Sequence, residues 1–125
     1  MENNDKVIAE LEIELVQILE ELGMAPDSHR DFGWLKEVII MAVRHPLIWE
    51  AQWAEYIGKR ENITRERVIQ ILHKAVWNHW NLNSENIIKK HFEAVQVQFE
   101  YVKPNHIELV KLIAEGLREK YLALP

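Results

Sequence analysis

Cysteine is missing from the 125-residue chain, which excludes disulfide scaffolds, thiolate zinc sites and cysteine nucleophiles together. That absence fits a reducing compartment, and the expected location is the cytoplasm. Long hydrophobic runs are missing as well: no window approaches the roughly 20 apolar residues of a membrane span. The start, Met1-Glu2-Asn3-Asn4-Asp5, offers no basic segment leading into an apolar stretch, so no secretory signal is expected and no membrane partner either. None of the six histidines pairs with another at i, i+4, and no His-Glu-x-x-His array occurs, so no metal site is expected. A glycine-rich phosphate loop is also missing, while Ser28 and Ser84 read as turn or cap residues and the carboxylates of the first helix as a solvated face. Neither an enzyme nor a cofactor is expected.

What is present is a chain of the size of one domain, able to bury about two-thirds of the surface its unfolded form exposes. Its formal net charge is −5, which taken alone argues against phosphate contacts. The distribution is uneven. Residues 1–25 hold Glu2, Asp5, Glu10, Glu12, Glu14, Glu20 and Glu21 against Lys6 alone. Between Ile57 and Lys90, by contrast, seven basic residues (Lys59, Arg60, Arg65, Arg67, Lys74, Lys89, Lys90) face three acidic ones (Glu61, Glu66, Glu85). A basic patch is therefore concentrated in the middle of the chain.

The apolar periodicity predicts helices throughout. Ile8, Leu11, Leu15, Ile18 and Leu22 recur at steps of three and four, giving an amphipathic helix over 7–22 with Asn4 or Asp5 as cap and Gly23 as stop. A second helix is expected over 34–45, ended by Pro46. A third steps through Trp49, Trp53, Tyr56 and Ile57 and ends between Gly58 and Asn62. Thr64 caps a fourth over 65–80, in which Val68, Leu72, Ala75 and Val76 turn inward. Ser84 is expected to cap a short fifth helix ending near Phe92. Val95, Val97, Phe99 and Tyr101 alternate, which suggests a short extended segment, and a last helix opens after Pro104-Asn105 and finishes near Tyr121. The fold class expected is all-α, a single compact bundle of about six helices over 1–125, with a helix-turn-helix at about 50–80. The five tryptophans are read as core, except Trp77.

Taken in order, these pieces resemble the C-terminal effector domain of the stage zero sporulation response regulator. The resemblance runs through Ile18-Leu19-Glu20-Glu21-Leu22-Gly23-Met24-Ala25-Pro26 and Phe32-Gly33-Trp34-Leu35-Lys36-Glu37. It is sharpest at Thr64, Arg67, Val68, Ala75 and Trp80, and continues in Lys103-Pro104-Asn105 with Ile113-Ala114 and Leu117-Arg118. It implies a DNA-binding transcriptional regulator in which the helix over 65–80 enters the major groove of short boxes, a family switched by phosphorylation of a separate receiver domain. Two departures bear on this. No receiver domain is expected within residues 1–125, and where the family has Glu-Arg and a further Arg that touch bases, this sequence has Ile69, Gln70 and His73.

The expected partner is double-stranded DNA, anchored through Lys59, Arg60, Arg65, Arg67 and Lys74. Gln70 is able to read adenine and His73 guanine, so specificity for the family's box is expected to be altered or lost. The alternative is a degenerate effector domain that contacts protein, either a second copy of itself or a related sporulation regulator, through an outward stripe of Ile69, His73 and Trp77.

Overall fold

Six helices follow one another in the computed structural model, which describes residues 2–92 and 103–122. α1 (Glu2–Glu21) buries Leu11, Leu15, Ile18 and Leu19 completely. It stops where Gly23 takes a left-handed φ of 81°, which lets the amide of Met24 reach back to the carbonyl of Leu19 at 2.7 Å. The helix already runs through Asn4 and Asp5, so neither caps it.

α2 (Arg30–Arg44) starts four residues before the expected position. The cause is His29, which holds an extended backbone and whose Nδ1 accepts the amide of Asp31 at 3.1 Å. An imidazole thus does what Ser or Asp does at most helix starts, which a propensity argument has no reason to anticipate. At the other end the helix stops ahead of Pro46, as expected.

α3 (Glu50–Glu61) and α4 (Arg65–His79) are separated by residues 62–64. Asn62 is left-handed (φ 58°), the amide of Ile63 bonds the carbonyl of Gly58 at 2.9 Å, and Thr64 Oγ1 accepts the amide of Arg67 at 3.1 Å. The turn passes so close to α3 that a Cβ on Gly58 would lie 2.7 Å from the carbonyl oxygen of Ile63. α5 (Ser84–His91) begins one residue earlier than expected, with Asn83 at the cap position making no side-chain capping bond. Ser84 is its first residue and is fully buried, its Oγ accepting the amide of Asn81. α6 (His106–Tyr121) is capped by Asn105, whose side chain accepts the amide of Glu108. The expected alternating segment with Val95, Val97, Phe99 and Tyr101 lies outside the described residues.

The helices form one all-α bundle in which α2 packs chiefly on α6 and α3 on α4, with α1 against α2, α6 and α5. Leu35, Ile39, Ile57, Leu72, Leu109 and Ile113 are fully buried at these seams, each removing enough apolar surface from water to contribute about 1.5–3 kcal/mol. Among the tryptophans, Trp34, Trp53 and Trp80 join the core, whereas Trp49 is 74% exposed and Trp77 45% exposed. Trp49 therefore departs from its expected core role: it stands at the cap position of α3, outside the helical stripe that faces inward. No helix among the described residues is long and apolar enough to cross a membrane.

One polar network crosses the α1, α5 and α6 junction. Glu14, buried on α1, accepts from Lys120 Nζ at 2.7 Å and from the Tyr121 hydroxyl. The two nitrogens of His91 lie 3.0 Å from Glu14 Oε2 and Glu21 Oε2, so both bonds are made only when each nitrogen carries a proton. Burial raises the Glu14 carboxyl, but the bonds from Lys120, Tyr121 and His91 outweigh it and hold the group below its ordinary range. Glu21 is lowered in the same way by His91 and Lys90. Tyr121, buried beside Glu14, is pushed up to about 12.

Two outcomes follow. Because the folded carboxyls titrate below their unfolded value of 4.5, their stabilisation is complete above that value and is lost as pH falls through the folded one. Glu14→Gln is thus expected to lower the urea midpoint at pH 7 and to flatten its decline below pH 4.5, and an unchanged acid slope would count against the network. Gly58→Ala is expected to cost about 1–3 kcal/mol by overpacking against Ile63, outweighing the roughly 1 kcal/mol that Ala gains over Gly inside a helix. Urea denaturation reads the sign.

Candidate nucleic-acid interface

Packing decides what α4 offers to a partner. Val68, Leu72, Ala75 and Val76 are buried, and successive helical residues turn by about 100°. Arg67, Gln70 and Lys74 then share an exposed face, at positions i, i+3 and i+7. The inward set agrees with the sequence expectation. Ile69, expected on the outward stripe with His73 and Trp77, is half-buried and packs in part against the core.

The expected anchors differ in what they already hold. Lys59 lies 3.3 Å from Glu55 one turn earlier in α3, and Arg65 Nη2 lies 3.2 Å from Glu66. Both pairs are solvent-exposed and exchange readily. Arg60 is tied more firmly. Its guanidinium pairs with Glu37 of α2 and with Glu61 at 3.2 Å, and it stacks over the Tyr56 ring at 5.6 Å. The hydrogen bond and charge of Glu37 raise its already high pKa further. Arg60 is thus a strut between α2 and α3. Further along the basic stretch, Lys89 lies beside Glu85 and Lys90 beside Glu21. The guanidinium of Arg67, the ammonium of Lys74 and the amide of Gln70 have no hydrogen-bond or ionic partner among the described residues.

These three side chains line one wall of a groove of about 670 Å³, which Asn78 extends. The opposite wall is the start of α2, with Ser28, His29, Arg30 and Asp31. Phe32 and His79 join the walls edge to face, their ring centroids 4.8 Å apart, and His79 Nδ1 sits 2.8 Å from the carbonyl of Ala75. Among the described residues, Asp31 is the one acidic group lining the groove, against Arg30, Arg67 and Lys74. The local field therefore favours an anion, opposite in sign to the chain as a whole.

His73 and Trp77 point elsewhere. The His73 ring lies 5.9 Å from that of Trp77 and 5.8 Å from that of His106, while Lys103 stacks on Trp77 at 4.9 Å and donates to its carbonyl at 2.9 Å. Behind them His106 is buried, 2.5 Å from Glu50 Oε2. Burial holds this imidazole below its ordinary range against the pull of Glu50, and the neighbouring His73 adds to the lowering. His73 thus belongs to an aromatic cluster at the starts of α3 and α6, and does not line the groove.

The groove's second wall escapes sequence reasoning. Arg30 and His29 sit in a stretch that reads locally as a turn, and only the packing of α2 beside α4 brings them opposite Arg67. No family model matches the chain, and neither does any curated protein or solved structure.

The contrast between strut and unpaired group is measurable in stability alone. Arg60→Ala is expected to destabilise the fold by on the order of 1 kcal/mol, as a link between two helices and its packed stem are lost. Arg67→Ala is expected to stay within about 0.5 kcal/mol of the parent. Paired urea titrations check this, and equal losses would deny the division of roles.

Proposed function

We propose that this chain is a DNA-binding transcriptional regulator, resembling the sporulation effector domain, that holds duplex DNA against α4 with altered or lost preference for the family's box. The observation that carries the reading is the set Arg67, Gln70 and Lys74: three groups on one helical face, without acidic partners among the described residues. In a chain with 20 carboxylates and 15 Lys and Arg side chains, cations left uncompensated together at one groove suit a polyanion. The turn before α4, with Thr64 capping it, supports α4 as the helix presented to a groove of the duplex.

In this reading Arg67 and Lys74 contact phosphates, which position the protein without selecting sequence. Gln70 is the group suited to a base edge, where its amide pairs with the N6 and N7 of adenine. With Ile69 packed in part against the core and His73 turned to Trp77 and His106, Gln70 is left as the principal reader, too little for the family's arginine-based readout. Weak or different sequence preference follows. Lys59 and Arg65, with exposed and exchangeable partners, serve as auxiliary phosphate contacts.

Fluorescence anisotropy with labelled duplexes, titrated across salt, tests this reading. Arg67→Ala is expected to weaken binding to every sequence roughly tenfold at 50 mM salt and to reduce the slope of log K against log salt by about 0.9. A parent protein that binds no duplex at low salt would refute the proposal.

A further inference from the structure

The groove beside α4 has a second cationic wall that the recognition helix alone does not explain. Arg30 projects from the first turn of α2 and lines the same groove as Arg67 and Lys74. Its guanidinium lies over the Trp34 ring at 4.7 Å, which fixes the stem, and its Nε is 3.5 Å from Asp31 Oδ1. The two terminal nitrogens keep their donors, since no bond from either is made among the described residues. Beside it, His29 accepts the Asp31 amide through Nδ1. In the neutral ring that acceptor role places the proton on Nε2, leaving a second donor on this wall. Asp31 opposes an anion, yet its carboxylate stands next to Arg30 and 3.5 Å from His29, and three cations outnumber it.

Resting on the DNA-binding reading above, we propose that this groove grips a single backbone phosphate from two helices at once, Arg67 and Lys74 from α4 and Arg30 with His29 from the start of α2. The ligand class is a phosphodiester, and the contact is independent of base sequence. Its consequence is geometric. A phosphate held from both walls fixes the angle at which α4 meets the duplex, a task that contacts from one helix face perform poorly.

The test is duplex binding across salt by the full chain. Arg30→Gln keeps the aliphatic stem on Trp34 while removing the charge, and far-ultraviolet circular dichroism checks that the variant is folded. The expected result is roughly tenfold weaker binding at 50 mM salt for any sequence, with the slope reduced by less than about 0.9 because Arg67 and Lys74 still neutralise the shared phosphate. Arg30→Lys is expected to recover most of the affinity. Because both arginines hold one phosphate, Arg30→Gln combined with Arg67→Ala is expected to lose less than the two separate losses together. Parent-like binding by Arg30→Gln, alongside weakened binding by Arg67→Ala, would overturn the two-helix grip and leave the α4 reading intact. Full additivity would put the arginines on separate phosphates and overturn the shared grip. If the parent binds no duplex, both readings fall together.

Discussion

The rotation of α4 about its own axis is the constraint on which the rest depends. Val68, Leu72, Ala75 and Val76 are buried against the other helices, and turning the helix by one position would pull several of these side chains into water at about 1.5–3 kcal/mol each. Two features lock the start of that rotation. Gly58 lets the turn lie against α3, and Thr64 caps the first turn. Everything a partner meets on this side, from Arg67 to Asn78, follows from that choice of inward face.

Charge then sorts the surface that packing has exposed. A sequence count shows seven basic residues clustered between positions 57 and 90, but carboxylates stand beside Lys59, Arg60, Arg65, Lys89 and Lys90. What remains is a narrower region around Arg67 and Lys74, joined by Arg30 across the groove. The pairing of Arg60 with Glu37 ties α2 to α3, and so helps hold the α2 wall in place beside α4. The acidity of α1 has a structural share too, since Glu14 and Glu21 receive His91, Lys90 and Lys120 from α5 and α6.

Much of the fold was legible in the sequence because its helices are amphipathic and well punctuated. The stripe of Leu11, Leu15, Ile18 and Leu22, the stop at Gly23, the cap at Thr64 and the inward set of α4 all depend on local spacing, which the chain displays directly. Features set by unusual local chemistry were less visible. His29 starts α2 with a ring nitrogen, and the Ser84 hydroxyl, expected to cap α5, accepts the amide of Asn81 ahead of the helix. The site was half legible. Helical spacing puts Arg67, Gln70 and Lys74 together, but the neutralisation of Arg60 by a residue 23 positions away and the approach of Arg30 to the groove exist only in three dimensions. Ile69 and Trp49 illustrate the same limit, one packed in part against the core where exposure was expected and the other exposed where burial was expected.

The central claim, that the groove between α2 and α4 is the DNA-facing surface, is tested most directly by mapping backbone amide chemical shifts while a short duplex is titrated into the isotopically labelled protein. The account predicts shifts concentrated at 28–32 and 64–78, with α1 and the far end of α6 unchanged. Shifts centred on Trp49, Trp77 and Lys103, or the absence of any shift at low salt, would contradict it.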